Sequence, residues 1–152
     1  MKVLDFLELD SVTTDLKSQT KQDAISELCE LLKANGRIVD ADAVKQSLLE
    51  REKLGSTGIQ DGVAIPHGKF KALAQMIVLF GRSLHGIDFQ SFDNRPTHLF
   101  FVLLAPEDSV GADLHVLARL SRLIKDEKVC QTFNVCEEGT LYQLLIDEDD
   151  KL

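Results

Sequence analysis

One histidine in this sequence stands where a reactive side chain would be useful. His67 lies between Pro66 and Gly68 at the end of residues 55–69, a stretch that holds four of the nine glycines. Glycine adopts positive φ at little cost, so this density indicates a backbone that turns sharply or comes close to a bound group. An ordinary imidazole is mostly neutral at pH 7, which leaves one ring nitrogen free to attack an electrophile. The stretch therefore predicts an accessible histidine with a chemical role.

Groups that can hold an anion accompany His67. The backbone N–H groups around Gly58 can form an anion-binding nest, and Ser56 and Thr57 add hydroxyl donors. Arg51, just before the glycine-rich stretch, can add a permanent positive charge and two parallel donors. Each has a plainer interpretation, as turn residues for Ser56 and Thr57 and as a solvated helix-end residue for Arg51.

A second histidine, His115, is a further candidate. From about Gly111 the chain has an apolar helical pattern on which His115, Arg119 and Arg122 share the one polar sector. His115 therefore faces away from the deepest core, and the two arginines belong either to a docking face or to a solvated one. A zinc site made of His67 and His115 has no obvious third ligand with local spacing, so no metal and no other cofactor is expected.

The elements that must position these residues can be predicted from periodicity and capping. Residues 63–65 are an apolar run that predicts a short buried strand, and Pro66 ends it because proline has no ladder donor, which places His67 in a loop. A capping box at residues 20–23 predicts a helix that stops at Gly36. A second helix is predicted from near Asp40 to Arg51, so Arg51 comes just ahead of the loop.

The remaining segments complete an α/β pattern. Residues 12–16 alternate like a short strand, and residues 75–82 and 99–104 are apolar runs typical of strands buried on both faces. Between these runs, residues 83–97 have the composition of a long turn-rich connection. After the third helix, two shorter helices at residues 129–135 and 140–146 precede an acidic tail. Helices at both ends of a strand-rich middle predict an α/β sandwich.

Length and charge limit the classes of function. The 152 residues predict one domain, 1–152, without repeat or linker. A net charge of -8 makes nucleic acid an unfavourable partner. No apolar run approaches the roughly 20 residues of a membrane span, and the N-terminus lacks a signal-peptide core, so a cytoplasmic chain without membrane insertion is expected. The three cysteines, Cys29, Cys130 and Cys136, show no CxxC spacing and are expected to be reduced, without redox or metal roles.

A resemblance to a known family accounts for the glycine-rich stretch and the histidine that follows it. The motif residues are Glu50-Arg51-Glu52, then Gly55-Ser56-Thr57-Gly58-Ile59, then Val63-Ala64-Ile65-Pro66-His67-Gly68-Lys69. They resemble the active-site segment of the fructose/mannitol-type enzyme IIA domains of the bacterial phosphoenolpyruvate-dependent phosphotransferase system, above all the nitrogen-regulatory branch. The resemblance covers nearly the whole chain and implies a three-layer α/β/α sandwich with a mixed β-sheet. Gln60 stands where the family usually has glycine or alanine, so we expect it to strain the loop if that position needs positive φ.

The resemblance also implies roles for the candidate residues. His67 would accept a phosphoryl group on Nε2 from an HPr-like phosphocarrier protein, and His115 would stabilise that group. We hypothesise that the start of the helix disfavours a charged ring at His115, so that the neutral ring donates one N–H; NMR titration of both imidazoles tests this. Arg51, Ser56, Thr57 and Gly58 would supply the phosphoryl-binding donors.

Three functions remain open at this point. The first is a phosphoryl-transferring regulator whose phosphorylation state sets its binding to regulatory partners. The second is a sugar-specific component that passes the phosphoryl group to a IIB component during uptake. The third is a binding module that does not depend on phosphate. The absence of a fused IIB or membrane IIC domain favours regulation over transport.

Overall fold

Five strands and five α-helices make up the described part of the chain, which in this computed structural model is residues 2–59 and 61–152 without the Leu4 side chain. The predicted strain at Gln60 lies outside the described residues. The strands are β1 (Leu7–Thr13), β2 (Val63–Ala64), β3 (His67–Phe70), β4 (Ile77–Ile87) and β5 (Thr97–Pro106). The helices are α1 (Lys21–Ala34), α2 (Ala41–Lys53), α3 (Ala112–Ile124), α4 (Glu127–Val135) and α5 (Leu141–Asp150).

The strands form one mixed sheet centred on β4 and β5. These two strands are antiparallel, and β1 lies parallel to β4 on the outer side. Along the other side of β5 lie first β2 and then β3, both parallel to it. The mixed sheet predicted from the resemblance is confirmed.

Pro66 interrupts this edge of the sheet without ending it. Proline cannot donate to the ladder, so β2 stops before it as expected. However, the Leu103 N–H donates to the Pro66 carbonyl at 3.0 Å, and β3 pairs with β5 from His67 opposite Leu103. The prediction that His67 lies in a loop is therefore wrong, because the Pro66 carbonyl still accepts a hydrogen bond from β5 and the chain stays paired with that strand. His67 is the first residue of a strand.

Helices cover both faces of the sheet and give the predicted three layers. α1 and α2 pack on one face, where Phe89 and Phe100 lie edge to face with ring centroids 5.2 Å apart. α3, α4 and α5 pack on the other face around Phe80 and Phe101, with centroids 4.9 Å apart. Each buried ring stabilises the fold by about 2–3 kcal/mol through removal of apolar area from water. The uninterrupted apolar runs of β4 and β5 follow from burial on both sides.

The capping residues begin the first two helices where the sequence predicts. Thr20 accepts from the Asp23 N–H at 3.3 Å and starts α1, and Asp40 accepts from the Ala43 N–H at 3.0 Å and starts α2. Gly36 follows α1 with φ of 73°. Because side-chain oxygens satisfy the otherwise unpaired N–H groups of a first turn, each cap contributes about 1 kcal/mol.

Three boundaries differ from the prediction. The first strand is Leu7–Thr13 rather than 12–16. Its pairing with β4 shifts register between Leu7 and Val12, so buried and exposed side chains do not alternate regularly along it. β4 continues to Ile87 through residues expected to form a turn-rich connection, where the register against β5 also shifts. The acidic residues near the C-terminus belong to α5, and Asp149 there is buried against Arg119.

A buried arginine ties three elements together and supports a prediction. Arg82 on β4 is only 3% exposed. Its Nε donates to the Thr14 carbonyl at 3.1 Å, and its Nη1 donates to the carbonyls of Phe133 and Cys136 at 3.1 and 2.7 Å, at the end of α4. Arg82→Met is expected to lower the free energy of unfolding by about 3 kcal/mol, because buried carbonyls lose charged donors. Urea unfolding measures this; Arg122→Met, on an exposed face of α3, should change it by less than about 0.5 kcal/mol.

The cysteines differ in environment, and this predicts their reactivity. Burial raises the pKa of the Cys29 thiol to about 12 and that of the Cys130 thiol to about 11. Since the thiolate is the reactive form, both should be almost unreactive at pH 8. A colorimetric disulfide reagent is expected to modify only the partly exposed Cys136 quickly in the native protein. Cys136→Ser should remove this fast phase; a fast phase that persists would contradict the prediction.

Among the described residues, no helix combines the length and the apolar character needed to cross a membrane.

Candidate functional site

The two faces of β3 separate His67 from the layer of α1 and α2. Side chains alternate along a strand, so His67 and Lys69 share one face and Gly68 and Phe70 share the other. A Cβ placed on Gly68 would lie 3.7 Å from Cδ2 of Leu48 on α2, and Phe70 packs with the same cluster as α2. His67 and Lys69 therefore face the layer that contains α3.

The His67 ring is held in one tautomer. The side chain is half-buried, and its Nδ1 lies 2.8 Å from the Ile65 carbonyl oxygen. A carbonyl can only accept, so in the neutral ring Nδ1 carries the hydrogen and Nε2 carries the lone pair. The ring nitrogen whose lone pair is free is therefore Nε2 in this arrangement, and this is the nitrogen on which the resemblance implies phosphorylation.

Lys69 connects the strand of His67 to the start of α3. Its Nζ donates to the Ser109 carbonyl at 3.3 Å and lies 3.8 Å from Oδ2 of Asp113. These are long contacts to a side chain that is 46% exposed. The ammonium is thus held loosely and lies on the same side of β3 as the His67 ring, where it can approach an anion.

His115 lies in the first turn of α3, as predicted, and its side chain is exposed. It follows Asp113 by two residues, which places the two side chains about 200° apart around the helix. Asp113 contacts Lys69, and His115 lies on the next part of the same helical turn. Within residues 2–59 and 61–152, the ring makes no hydrogen bond, and its role on a phosphoryl group stays a prediction.

The glycine-rich stretch is a hairpin that leads directly to His67. The Ile59 N–H donates to the Val63 carbonyl at 2.8 Å, and the Ile65 N–H donates to the Thr57 carbonyl at 3.0 Å. Asp61 and Gly62 turn the chain with φ of 64° and 77°. Aspartate and glycine are among the residues that tolerate this left-handed region, which explains the type of residue at both positions.

A buried carboxylate that the sequence reasoning missed supports this hairpin. Glu52 on α2 accepts from the Thr57 N–H at 3.1 Å and from the Thr57 hydroxyl at 2.5 Å. It also pairs with Lys21 Nζ at 3.0 Å; the two side chains are 3% and 12% exposed. The available signal was spacing, since Glu52 falls four residues after the buried Leu48 on the same helix face. A carboxylate on a buried face must have a partner.

The predicted phosphoryl-binding residues are engaged within the loop in this conformation. The Ser56 hydroxyl donates to the Phe89 carbonyl at 3.0 Å and accepts from the Gly58 N–H at 3.0 Å. A Cβ on Gly58 would clash with Oγ of Ser91 and lie 3.1 Å from its Cα, so a larger residue would require Ser91 to move. The N–H groups of Thr57 and Gly58 are occupied rather than open, and a nest for an anion would require them to exchange partners.

Arg51 on α2 and the two arginines of α3 have different surroundings. Arg51, in the last turn of α2, donates from Nη1 to the Gly55 carbonyl at 3.0 Å and so holds the start of the loop. On α3 the predicted polar sector is divided, because Arg119 pairs with Asp149 while Arg122 stays exposed.

In the described part of the chain, no group of three or more His, Cys, Asp or Glu side chains could hold a metal ion.

Relatives of two kinds match this chain over most of its length. It is 37% identical over 150 residues to a nitrogen regulatory protein of Bradyrhizobium diazoefficiens, covering 95% of each chain. It is 38% identical over 140 residues to a fructose-specific EIIA component of the phosphotransferase system of Haloferax volcanii, covering 92% of this chain and 91% of that one. A fructose-specific EIIABC component of Bacillus subtilis is 33% identical, but the match covers 99% of this chain and only 24% of that protein.

A solved structure and a family model agree with these relatives. The crystal structure of nitrogen regulatory protein IIA-Ntr from Neisseria meningitidis matches with a TM-score of 0.85 and 30% identity, over 93% of this chain and 97% of that one. The family model described as "Phosphoenolpyruvate-dependent sugar phosphotransferase system, EIIA 2" matches residues 5–148. With the three-layer fold and His67 placed on the strand after the glycine-rich hairpin, the chain belongs to the EIIA type 2 family of the phosphoenolpyruvate-dependent phosphotransferase system.

Proposed function

We propose that His67 accepts a phosphoryl group on Nε2 from the phosphohistidine of an HPr-like carrier, and that the phosphorylated state sets binding to regulatory partners. The observation that supports this most is the 2.8 Å contact between Nδ1 and the Ile65 carbonyl, which leaves the lone pair on Nε2. Family membership supports a phosphocarrier in general terms. With such a donor, a cytoplasmic location is part of the proposal.

The proposed transfer needs few groups. The lone pair of Nε2 attacks phosphorus, the P–N bond to the donor histidine breaks, and the donor ring keeps that electron pair. The transferred group brings negative charge to the face of β3 that carries Lys69, whose ammonium is held by long contacts and can turn toward it. As the His67 ring becomes cationic, the Ile65 carbonyl continues to accept from Nδ1. His115 would donate a ring N–H to the group, and Arg51 would add charge from the loop.

Intact-mass spectrometry tests the proposal. The purified protein is incubated with phosphoenolpyruvate, enzyme I and a cognate HPr-like carrier, with omission of the carrier as the control. We expect one added phosphoryl group that is lost on brief acid treatment, because a phosphorus–nitrogen bond hydrolyses in acid. No addition from a carrier that phosphorylates another EIIA protein would contradict the proposal.

A regulatory output requires partners that distinguish the two states. His67→Asp adds one negative charge at the site and His67→Ala adds none, so a regulatory partner should bind them with different affinity. The nitrogen regulatory relatives favour this output. Equal binding of both variants and of the phosphorylated protein would instead indicate a phosphate-independent binding module.

Transfer to a sugar-specific IIB component is the second candidate. It is favoured by the Haloferax volcanii relative, a fructose-specific EIIA component matched over 91% of its own length. Since that fructose-specific relative is matched over nearly its own length, chain length does not favour regulation over sugar uptake. Incubating the phosphorylated protein with a fructose-type IIB component decides between the two. Rapid loss of the group from His67 with its gain on IIB indicates uptake, and retention of the group favours regulation.

A further inference from the structure

A cleft that does not include His67 opens on the other side of the sheet. It lies between the start of α1, the outer surface of α2 and the connection from β4 to β5, and its volume is about 770 Å³. No residue of β3 or α3 lines it. Its volume falls in the range of small-molecule sites, about 300–1,000 Å³.

The polar groups of the cleft suit an anion. Three lysines, Lys21, Lys45 and Lys53, line it together with the amide side chains of Gln22, Gln46 and Gln90. On α2, Lys45 and Lys53 are eight residues apart with Leu49 midway, so they form one stripe along the helix. In the described part of the chain, neither Lys45 nor Lys53 forms an ion pair, and the chain as a whole carries a net charge of -8.

The two acidic residues of the lining differ in how far their charges are compensated. Glu52 pairs with Lys21 and accepts from Thr57, as described above. Asp88 accepts from the Gln90 N–H at 3.1 Å through Oδ1. Among the described residues, the unpaired charges that face the cleft are therefore the two ammonium groups of Lys45 and Lys53 and the one carboxylate of Asp88, so positive charge is in excess.

The floor of the cleft is hydrogen-bonded to the loop that precedes His67. Lys21 Nζ lies 3.0 Å from Glu52 Oε1, 3.3 Å from Ser56 Oγ and 4.8 Å from the centroid of the Phe89 ring. Glu52 in turn holds Thr57. An anion that attracts Lys21 would compete with Glu52 and Ser56 for its three N–H donors, and both of these contacts lead into the glycine-rich hairpin.

We propose that this cleft binds a small metabolite with two or more anionic groups, and that the bound anion alters the glycine-rich hairpin through Lys21 and Glu52. Phosphate and carboxylate groups share the chemistry that the three lysines and the amide donors recognise. Binding by itself is independent of phosphoryl transfer. Its regulatory consequence, a changed rate of transfer to His67, rests on the proposed function.

NMR titration of ¹⁵N-labelled protein at constant ionic strength tests binding, with inorganic pyrophosphate and citrate as separate probes. The double variant Lys45→Gln/Lys53→Gln removes the two unpaired positive charges. Lys125→Gln/Lys128→Gln removes two exposed lysines elsewhere and changes the net charge equally. For at least one probe we expect wild-type and control proteins to bind alike and the cleft variant to bind at least about tenfold more weakly. Amide shifts are expected at Lys21, Gln46 and Ser56–Gly58.

Three results would contradict the proposal that the cleft binds an anion. They are absence of binding of either probe up to about 10 mM, equal weakening in the control variant, and shifts confined to β3 and α3, which would place the anion at the candidate phosphoryl site. The titration needs no phosphorylation, so failure of His67 to accept a group counts against the proposed function alone. Where acceptance occurs, the initial rate is measured with and without the bound probe; an unchanged rate would overturn the coupling to the loop.

Discussion

His67→Ala is expected to abolish acceptance of a phosphoryl group from the HPr-like carrier, because it removes the nucleophilic Nε2 that the Ile65 contact leaves unprotonated. The exposed His85, whose Nε2 lies 2.9 Å from the Ser18 carbonyl, gives a matched control. His85→Ala should accept the group at the wild-type rate. Intact-mass spectrometry over a time course measures both, and acceptance by His67→Ala would show that the group is carried elsewhere.

His115→Ala separates the nucleophile from a stabilising group in the same assay. The variant should still accept a phosphoryl group, since Nε2 of His67 is intact, but more slowly by about 10²- to 10³-fold if His115 donates to the group during transfer. The ring is exposed in the first turn of α3 and makes no hydrogen bond within the described residues, so its N–H is available to donate. A wild-type rate for His115→Ala would leave His115 as an ordinary exposed helix residue.

Glu52→Ala is expected to have the largest effect on stability, a loss of about 3–5 kcal/mol in the free energy of unfolding. The substitution leaves Lys21, with a side chain only 12% exposed, without its carboxylate, and it deprives the Thr57 N–H and hydroxyl of their acceptor. Such a loss is a large part of the 5–15 kcal/mol that a domain typically has. Urea unfolding followed by far-ultraviolet circular dichroism provides the measurement.

Two further variants identify the cause of that loss. Glu50→Ala changes an exposed glutamate on the same helix and should alter stability by less than about 0.5 kcal/mol. The pair Lys21→Met/Glu52→Leu removes both charges, so it should be more stable than Glu52→Ala alone. If Glu52→Ala unfolded at the same urea concentration as Glu50→Ala, the buried ion pair would not be what holds the hairpin.

The parts of the fold that could be predicted are those in which a local signal determines the structure. Thr20 and Asp40 begin their helices because a short polar side chain reaches the N–H groups of the first turn, a purely local interaction. The runs that became β4 and β5 were recognisable because burial on both faces requires an uninterrupted apolar sequence. In the candidate site, residue types and spacing indicated His67, and the resemblance supplied its role.

The parts that could not be predicted depend on distant partners. β3 forms because its residues pair with β5, although their sequence is typical of a loop. The residues next to His67 in sequence contain no signal for that pairing. Lys21 and Glu52 are 31 positions apart in sequence and meet only after α1 and α2 pack. Ser56 and Thr57 were predicted to face an anion from their hydroxyl groups alone, whereas the packed chain supplies them with acceptors.

The break at Pro66 also bears on how this site can change. On one side of it, the hairpin is fastened to the chain by the contact between Ile65 and Thr57; on the other, His67 is fastened to β5 by its own ladder. His67 is therefore held in place by contacts that do not involve the turn of the hairpin. A hairpin turn exchanged for one from another family member is expected to change the surroundings of the His67 ring while His67 stays paired with Leu103 on β5.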